Sequence, residues 1–244
     1  MTPKPQRGTA GFTLVELAIV LVIVGLLLGG MMVSLSTLQE NRNDAETKRQ
    51  LDETREALIG FAVANGRLPR PAVSATDGTE RGLCASDTQC TGFIPWQVLG
   101  TQRADSRGKL IRYSVSPDFA NATFNLSSKA SKKVQTRDNT GTSVYLVGQA
   151  AACNSTDQAC SAAVVFSHGS KRFGTSIDGT ALSGVTASNT DEQANDTGSI
   201  NGTLFMARTP TDNTEVTGGE FDDILVWIPP FTLYNRMIAA GRLP

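Results

Sequence analysis

Gly11-Phe12-Thr13-Leu14-Val15-Glu16-Leu17 opens the stretch on which the reading of this chain turns. From Phe12 to Val33 run 22 residues in which Glu16 is the one strongly polar side chain. At about 1.5 Å per residue, a helix of that length matches a hydrocarbon core about 30 Å thick. The segment before it, Met1 to Gly11, carries Lys4 and Arg7 and no acid, a bias that keeps that end cytoplasmic. The expectation is one membrane crossing, N-in, with all that follows Val33 on the far side. A carboxylate inside such a helix costs roughly 2.5–3.5 kcal/mol, so Glu16 needs a partner or a job. Near the helix start it can also snorkel to the headgroups.

Working outward, Leu35, Leu38, Ala45, Leu51, Leu58, Ile59, Phe61 and Ala62 recur at roughly helical spacing among charged residues. Neither Pro nor Gly interrupts Met31 to Ile59. The pattern predicts one helix from Phe12 to about Asn65, about 80 Å long at the standard rise. Gly66 suits a left-handed C′ position, with Leu68 as hydrophobic contact and Pro69 as stop. Gly25, Gly29 and Gly30 allow close helix packing in the membrane or a point of local unwinding; both readings stand.

The heptapeptide beginning at Gly11, after a short basic leader, resembles the processing site of type IV prepilins and type II secretion pseudopilins. The resemblance implies cleavage between Gly11 and Phe12 by a prepilin peptidase and N-methylation of Phe12. It gives Glu16 the role of meeting the terminal ammonium of a neighbouring subunit during assembly, where each charge offsets the other's desolvation. The implied partners are the prepilin peptidase/methylase, other pilin or pseudopilin subunits and the bacterial inner membrane, with the head in the periplasm. The implied fold class is α+β, pilin-like: a long N-terminal helix, transmembrane then amphipathic, packed on an antiparallel β-sheet head. The expected division is a leader at 1–11, a transmembrane half at 12–33, an amphipathic half at 34–66 and a head with decorated loops at 67–244. Many pilins carry a proline in the apolar half, and this chain has none there. A conventional signal peptide, cut near Ser34-Leu35-Ser36, is the weaker reading, since the run is longer than the usual 7–15-residue core.

Across 244 residues, 22 basic and 23 acidic side chains nearly cancel, giving a net charge of −1. That leaves no broad basic field, so nucleic acid is not an implied partner. Four cysteines fall as two local pairs, Cys84 with Cys90 and Cys153 with Cys160. Their even number, spacing and periplasmic exit favour two local disulfides of structural role. Zinc is the rival, but the spacings are too long and no His lies near; free thiols are the remaining alternative.

In the head, Lys109–Ser116, Val144–Ala150, Ala162–Ser167, Leu204–Arg208 and Asp223–Ile228 read as strands. The second cysteine pair suggests a stapled hairpin between the second and third of these. Pro117–Gly141 and Gly174–Gly202 read as exposed polar excursions, the first with a solvated basic cluster of Lys129, Lys132, Lys133 and Arg137. Trp96 is expected to plug the junction of long helix and sheet. Pro229-Pro230 ends the last strand and starts a terminal amphipathic helix with Phe231, Leu233, Tyr234, Met237 and Ile238.

Nothing assembles into a catalytic set. His168 is the single histidine, in Ser167-His168-Gly169; a Ser–His dyad there lacks any nucleophile-elbow or phosphate-loop pattern. No enzyme activity and no obligatory cofactor are expected. Major pseudopilins bind calcium in a C-terminal loop, and Asp178, Asp191, Glu192, Asp196, Glu220, Asp222 and Asp223 offer carboxylates. Without a DxDxDG spacing, Asp222 and Asp223 can equally cap the last strand. Five Asn-x-Ser/Thr sequons, at Asn121, Asn125, Asn154, Asn195 and Asn201, fit chance in a Ser/Thr/Asn-rich chain. The reading is therefore a minor pilin or pseudopilin subunit. The alternatives are a tip adhesin binding through the head loops, and an unprocessed membrane-anchored periplasmic domain.

Overall fold

The computed structural model describes residues 11–154, 159–171, 173–182, 189–196 and 202–243, without the side chains of 28–36. Helix α1 runs Leu14–Asn65. It starts where the apolar run starts and ends where Gly66, at φ 74°, donates its N–H to the Ala62 carbonyl at 2.8 Å. An L-residue at that angle would be strained, which is why glycine closes this helix. The chain divides into two compact units, Met1–Arg42 and Asn43–Pro244. The division falls at Arg42, inside the stretch expected as the amphipathic half, because the last turns of α1 join the core of the second unit.

In the first unit every described side chain of α1 from Leu14 to Leu27 is exposed. Among the described residues no helix is long and apolar enough to cross a membrane. The last part of the expected span, 28–33, lies outside the described side chains.

In the second unit α1 buries a stripe at Thr47, Leu51, Thr54, Leu58 and Ala62, steps of three and four that keep one face inward. The threonines at its polar end are satisfied locally. Thr54 Oγ1 donates to the Gln50 carbonyl at 2.7 Å, and Thr47 Oγ1 meets Ser106 Oγ at 2.8 Å. The Arg107–Asp44 ion pair, at 2.9 Å, fixes the same junction.

The stripe faces a four-stranded antiparallel sheet of order β1-β2-β5-β7, formed by β1 (Thr91–Phe93), β2 (Arg112–Val115), β5 (Ala163–Ser167) and β7 (Ile224–Ile228). A second sheet, β4-β3-β6, joins β3 (Lys133–Arg137) antiparallel to β4 (Ser143–Val147) and parallel to β6 (Leu204–Met206). The long helix with an antiparallel sheet is the α+β layout expected, but the sheet is not single. Because strand side chains alternate, β5 serves two cores. Ala163 and Val165 share a cluster with Leu51, Leu58, Tyr113 and Phe119, while Val164 and Phe166 pack with Val134 and Phe205. All five of its residues are buried.

The two expected hairpin partners belong to different sheets. β4 pairs with β3, and β5 lies between β2 and β7. The segment read as an exposed excursion at 117–141 contributes structure. Short α3 (Pro117–Ala120) brings Phe119 against Phe124 and Tyr234, with ring centroids 5.0 and 6.3 Å away, and Val134 on β3 is fully buried. Tyr234 comes from the terminal helix α5 (Pro230–Ala239), which also buries Leu233 and Met237. Trp96, on α2 (Trp96–Leu99), joins the same cluster as the α1 stripe. Gly78 lies so close to its ring that an added Cβ would sit 2.2 Å from it, so only glycine lets the loop cross there. Disulfides join Cys84 to Cys90 and Cys153 to Cys160.

Candidate functional sites

The first candidate is the start of α1. Gly11 and Phe12 precede the helix in non-helical backbone, and Phe12 is 85% exposed. Among the described residues nothing lies within 4 Å of a Cβ added at Gly11, and Gly11 and Phe12 are both exposed.

Glu16 sits one turn further on. Thr13 donates to its Oε2 from both backbone N–H and hydroxyl, each at 2.9 Å, and Glu16 N–H donates back to Thr13 Oγ1 at 3.3 Å. This reciprocal set is a capping box: an N-cap threonine with a glutamate three residues on satisfies N–H groups the helix leaves unpaired. The signal Thr13-Leu14-Val15-Glu16 was visible in the sequence, and it gives the carboxylate a local reason to sit at an apolar helix's start. The box leaves Glu16 exposed with its negative charge beside the new terminus that cleavage would create.

The second candidate is a buried polar cluster in the head. Helix α4 (Thr190–Asp196) buries Asp191, Glu192 and Asn195. One carboxylate oxygen each from Glu192, Asp222 and Asp223 lie within 4.8 Å of one another. Of the seven carboxylates considered as cation ligands, only these three converge. Asp191 pairs with Arg137 at 2.6 Å and Arg208 at 3.3 Å; Glu220 lies 3.8 Å from Lys171; Asp178 binds Thr180 N–H at 2.9 Å in its own turn.

The converging oxygens are largely spent on protein donors. Glu192 Oε1 accepts from Asp222 N–H at 3.0 Å and its Oε2 from Asn189 at 3.0 Å. Asp222 Oδ2 accepts from Ser170 N–H and Oγ and from Lys171 N–H, at 2.7, 2.6 and 2.9 Å. Asp223 Oδ2 accepts from Asn195 at 2.7 Å. Asp222 Oδ1 and Asp223 Oδ1 are left, against the six to eight oxygens calcium takes. The Lys109 ammonium, bonded to the His168 and Lys171 carbonyls, lies in the field of the same acids. Burial lowers its pKa, and Asp222, Asp105, Asp223 and Glu192 oppose that shift. With two carboxylate oxygens unspent, the donor set falls short of a calcium site.

Burial first, then the charges of Asp223 and Asp222, push the Glu192 carboxyl up to about 8. His168 is fully buried, with Nδ1 3.5 Å from Asp223 Oδ1 and Nε2 3.8 Å from Asp196 Oδ1. Ser167 Oγ turns away to Asp105, so the Ser–His dyad is not formed. The basic cluster read as solvated is corrected in part: Lys129 is exposed as expected, but the others are not all solvated. Lys132 is fully buried on Asp87 at 2.7 Å, and Arg137 is spent on Asp191. Of the residues that organise this region, Asn189 stands three before Glu192 at the start of α4, a helix-start pattern readable in the sequence; Asn195 was read only as a sequon, and Lys109 carries no local pattern.

No curated protein matches the chain, and no solved structure does. The model for the prokaryotic N-terminal methylation motif does match, over residues 6–32. The part of the chain that leaves its apolar side chains exposed therefore carries the prepilin-type motif of type IV pilins and pseudopilins.

Proposed function

We propose that this chain is a minor subunit of a type IV pilus or type II secretion pseudopilus. In this reading it waits in the inner membrane, N-in, until prepilin peptidase cuts between Gly11 and Phe12 and Phe12 is methylated. The apolar half of α1 then leaves lipid for a bundle of like helices, and Glu16 meets a neighbour's terminal ammonium. Two opposite charges entering an apolar core together each lower the other's desolvation cost, so one register is favoured over the rest.

The observation that carries the proposal is the motif match over residues 6–32. The exposure of Leu14 to Leu27 supports it, because a face of that size has no partner among the described residues of its own chain.

N-terminal peptide mass of membrane-extracted protein tests the reading, beside a Gly11→Val variant and a peptidase-deficient strain. The expected wild-type terminus is N-methyl-Phe12, absent from both controls. An unmethylated terminus upstream of Phe12 in the wild type, or one near Thr37, would overturn it.

A further inference from the structure

The α4 segment is fastened to the head by side-chain hydrogen bonds more than by apolar contact. Asn195 donates to the Met206 carbonyl at 2.9 Å and accepts from the Met206 N–H at 2.8 Å, splicing α4 to the end of β6. Asn189 accepts from Glu220 N–H at 2.7 Å and holds Glu192, which in turn accepts from Asp222 N–H. The segments 189–196 and 218–223 are thus joined by bonds from Asn189 to Glu220, from Asp191 to the Gly218 carbonyl and from Asn195 to Asp223, with the buried Glu192 at their centre, bonded to both Asn189 and Asp222.

The charged groups that surround it come from every neighbouring element. Asp222 and Asp223 face it from the approach to β7, and Asp105 and Lys109 from the turn before β2. His168 adjoins Asp223 just after β5, and Lys171 bonds Asp222 through its backbone N–H. Arg208, after β6, and Arg137, on β3, are already committed to Asp191, and Asp196 faces His168. Among the described residues Lys109 is the cation that acts on all three convergent carboxyls, while the Lys171 ammonium also acts on Asp222 and Arg208 on Glu192; Asp222 Oδ1 and Asp223 Oδ1 have no hydrogen-bond donor. Three carboxylates this close, one fully buried, cannot all ionise cheaply. A proton on Glu192 both removes one charge and supplies a donor toward Asp222.

We propose that Glu192 carries a proton in the folded head and that this proton latches the 189–196 segment onto the 218–223 segment. Losing it sets three carboxylates against one another and frees α4 while the apolar layers around β5 stay closed. The direction of the titration agrees, since burial and the two aspartates raise Glu192 to about 8. A group raised above its unfolded value contributes fully below that unfolded value, about 4.5, and its contribution is lost as pH rises through about 8.

Amide hydrogen exchange on the full chain in detergent, corrected for intrinsic rates, tests this from pH 5.5 to 9. Protection of peptides covering 189–196 and 204–206 is expected to fall by up to about tenfold per pH unit until about pH 8 and then level off, while β5 stays unchanged. In Glu192→Gln, which keeps a donor without the charge, the fall is expected to vanish. A flat wild-type profile, or the same fall in E192Q, would overturn the latch. Should E192Q not fold, the carboxyl resonance of Glu192 in the wild-type chain decides: titration near 8 supports the proposal, and titration near 4.5 overturns it.

Discussion

The two ends of this chain invert the usual relation between polarity and burial. Leu14 and Leu26 are 86% and 73% exposed, while Lys132 and Glu192 in the head are fully buried. Apolar surface left in water is unfavourable by about 25 cal/mol per Å², and among the described residues nothing covers the apolar side chains of the first unit. Burying polar and charged groups is also unfavourable unless they are bonded, and the head supplies the partners: Asp87 and Gly202 for Lys132, the neighbouring Asn189 and the distant Asp222 for Glu192. One region leaves its apolar side chains exposed; the other bonds its buried polar groups from within.

The sharpest way to break that contrast is to remove a partner in the head. Asp87→Ala leaves the Lys132 ammonium with the Gly202 carbonyl alone, and stranding one member of a buried pair costs about 3–5 kcal/mol. Lys132→Met should cost much less, because Asp87 keeps some solvent contact and the replacement fits an apolar site. Burial lowers Lys132 to about 8 against the pull of Asp87. A lysine depressed below its unfolded value weighs on stability fully below about pH 8, and less as pH rises toward 10.5. Denaturant melts at pH 7 and 9.5 should therefore show the Asp87→Ala deficit narrowing. Equal losses for the two substitutions at pH 7 would mean the pair is not what holds Lys132 inside.

The next test makes one chemical change in both regions. Leu58 lies in the stripe that α1 buries, and Leu21 is 63% exposed. Leu58→Ala should cost the head about 3 kcal/mol in lost burial and cavity. Leu21→Ala should leave the head's melting midpoint where it was. If Leu21→Ala lowered that midpoint comparably, the first unit would be supporting the head, and the contrast would fail.

The same inversion explains what could be read in advance. Helix α1 was legible nearly to the residue, Phe12–Asn65 expected and Leu14–Asn65 found, because its apolar spacing and Gly66 are local signals. Strands β2, β5 and β7 were legible because runs such as Ala162–Phe166 are apolar throughout, as a strand buried on both faces must be. β3 was hidden: Lys133-Val134-Gln135-Thr136-Arg137 buries only Val134, so it shows no alternation and was taken as loop. The pairing of β4 with β3 rather than β5 depends on the second apolar cluster, to which Val134, Val164 and Phe205 contribute from three separate stretches. At the functional sites the division is the same. Gly11, Phe12 and Glu16 form a contiguous motif. The Glu192 cluster gathers residues from positions 105 to 223; its carboxylates could be named in the sequence, but nothing local showed which of them converge.

The smallest effect asked of the contrast concerns a covalent tie in the head. Cys84 and Cys90 are buried in the main apolar cluster, and their bond closes a loop with a sequence separation of 6. Loop-closure entropy for so short a loop is worth about 2 kcal/mol. Here the bond is not alone. Asn121 donates to the Cys84 carbonyl at 2.7 Å and accepts from the Cys84 N–H at 3.2 Å, holding one end of the loop against α3. With that clamp in place, Cys84→Ala with Cys90→Ala should cost no more than about 2 kcal/mol. Asn121→Ala added to it should cost less than the sum of the separate changes, since each tie shortens the search the other must make and either single loss already forfeits that help. A double-mutant cycle by denaturant melting measures the difference. Strict additivity would mean the loop is held elsewhere, and that distant polar partners matter less to this head than the buried charges suggest.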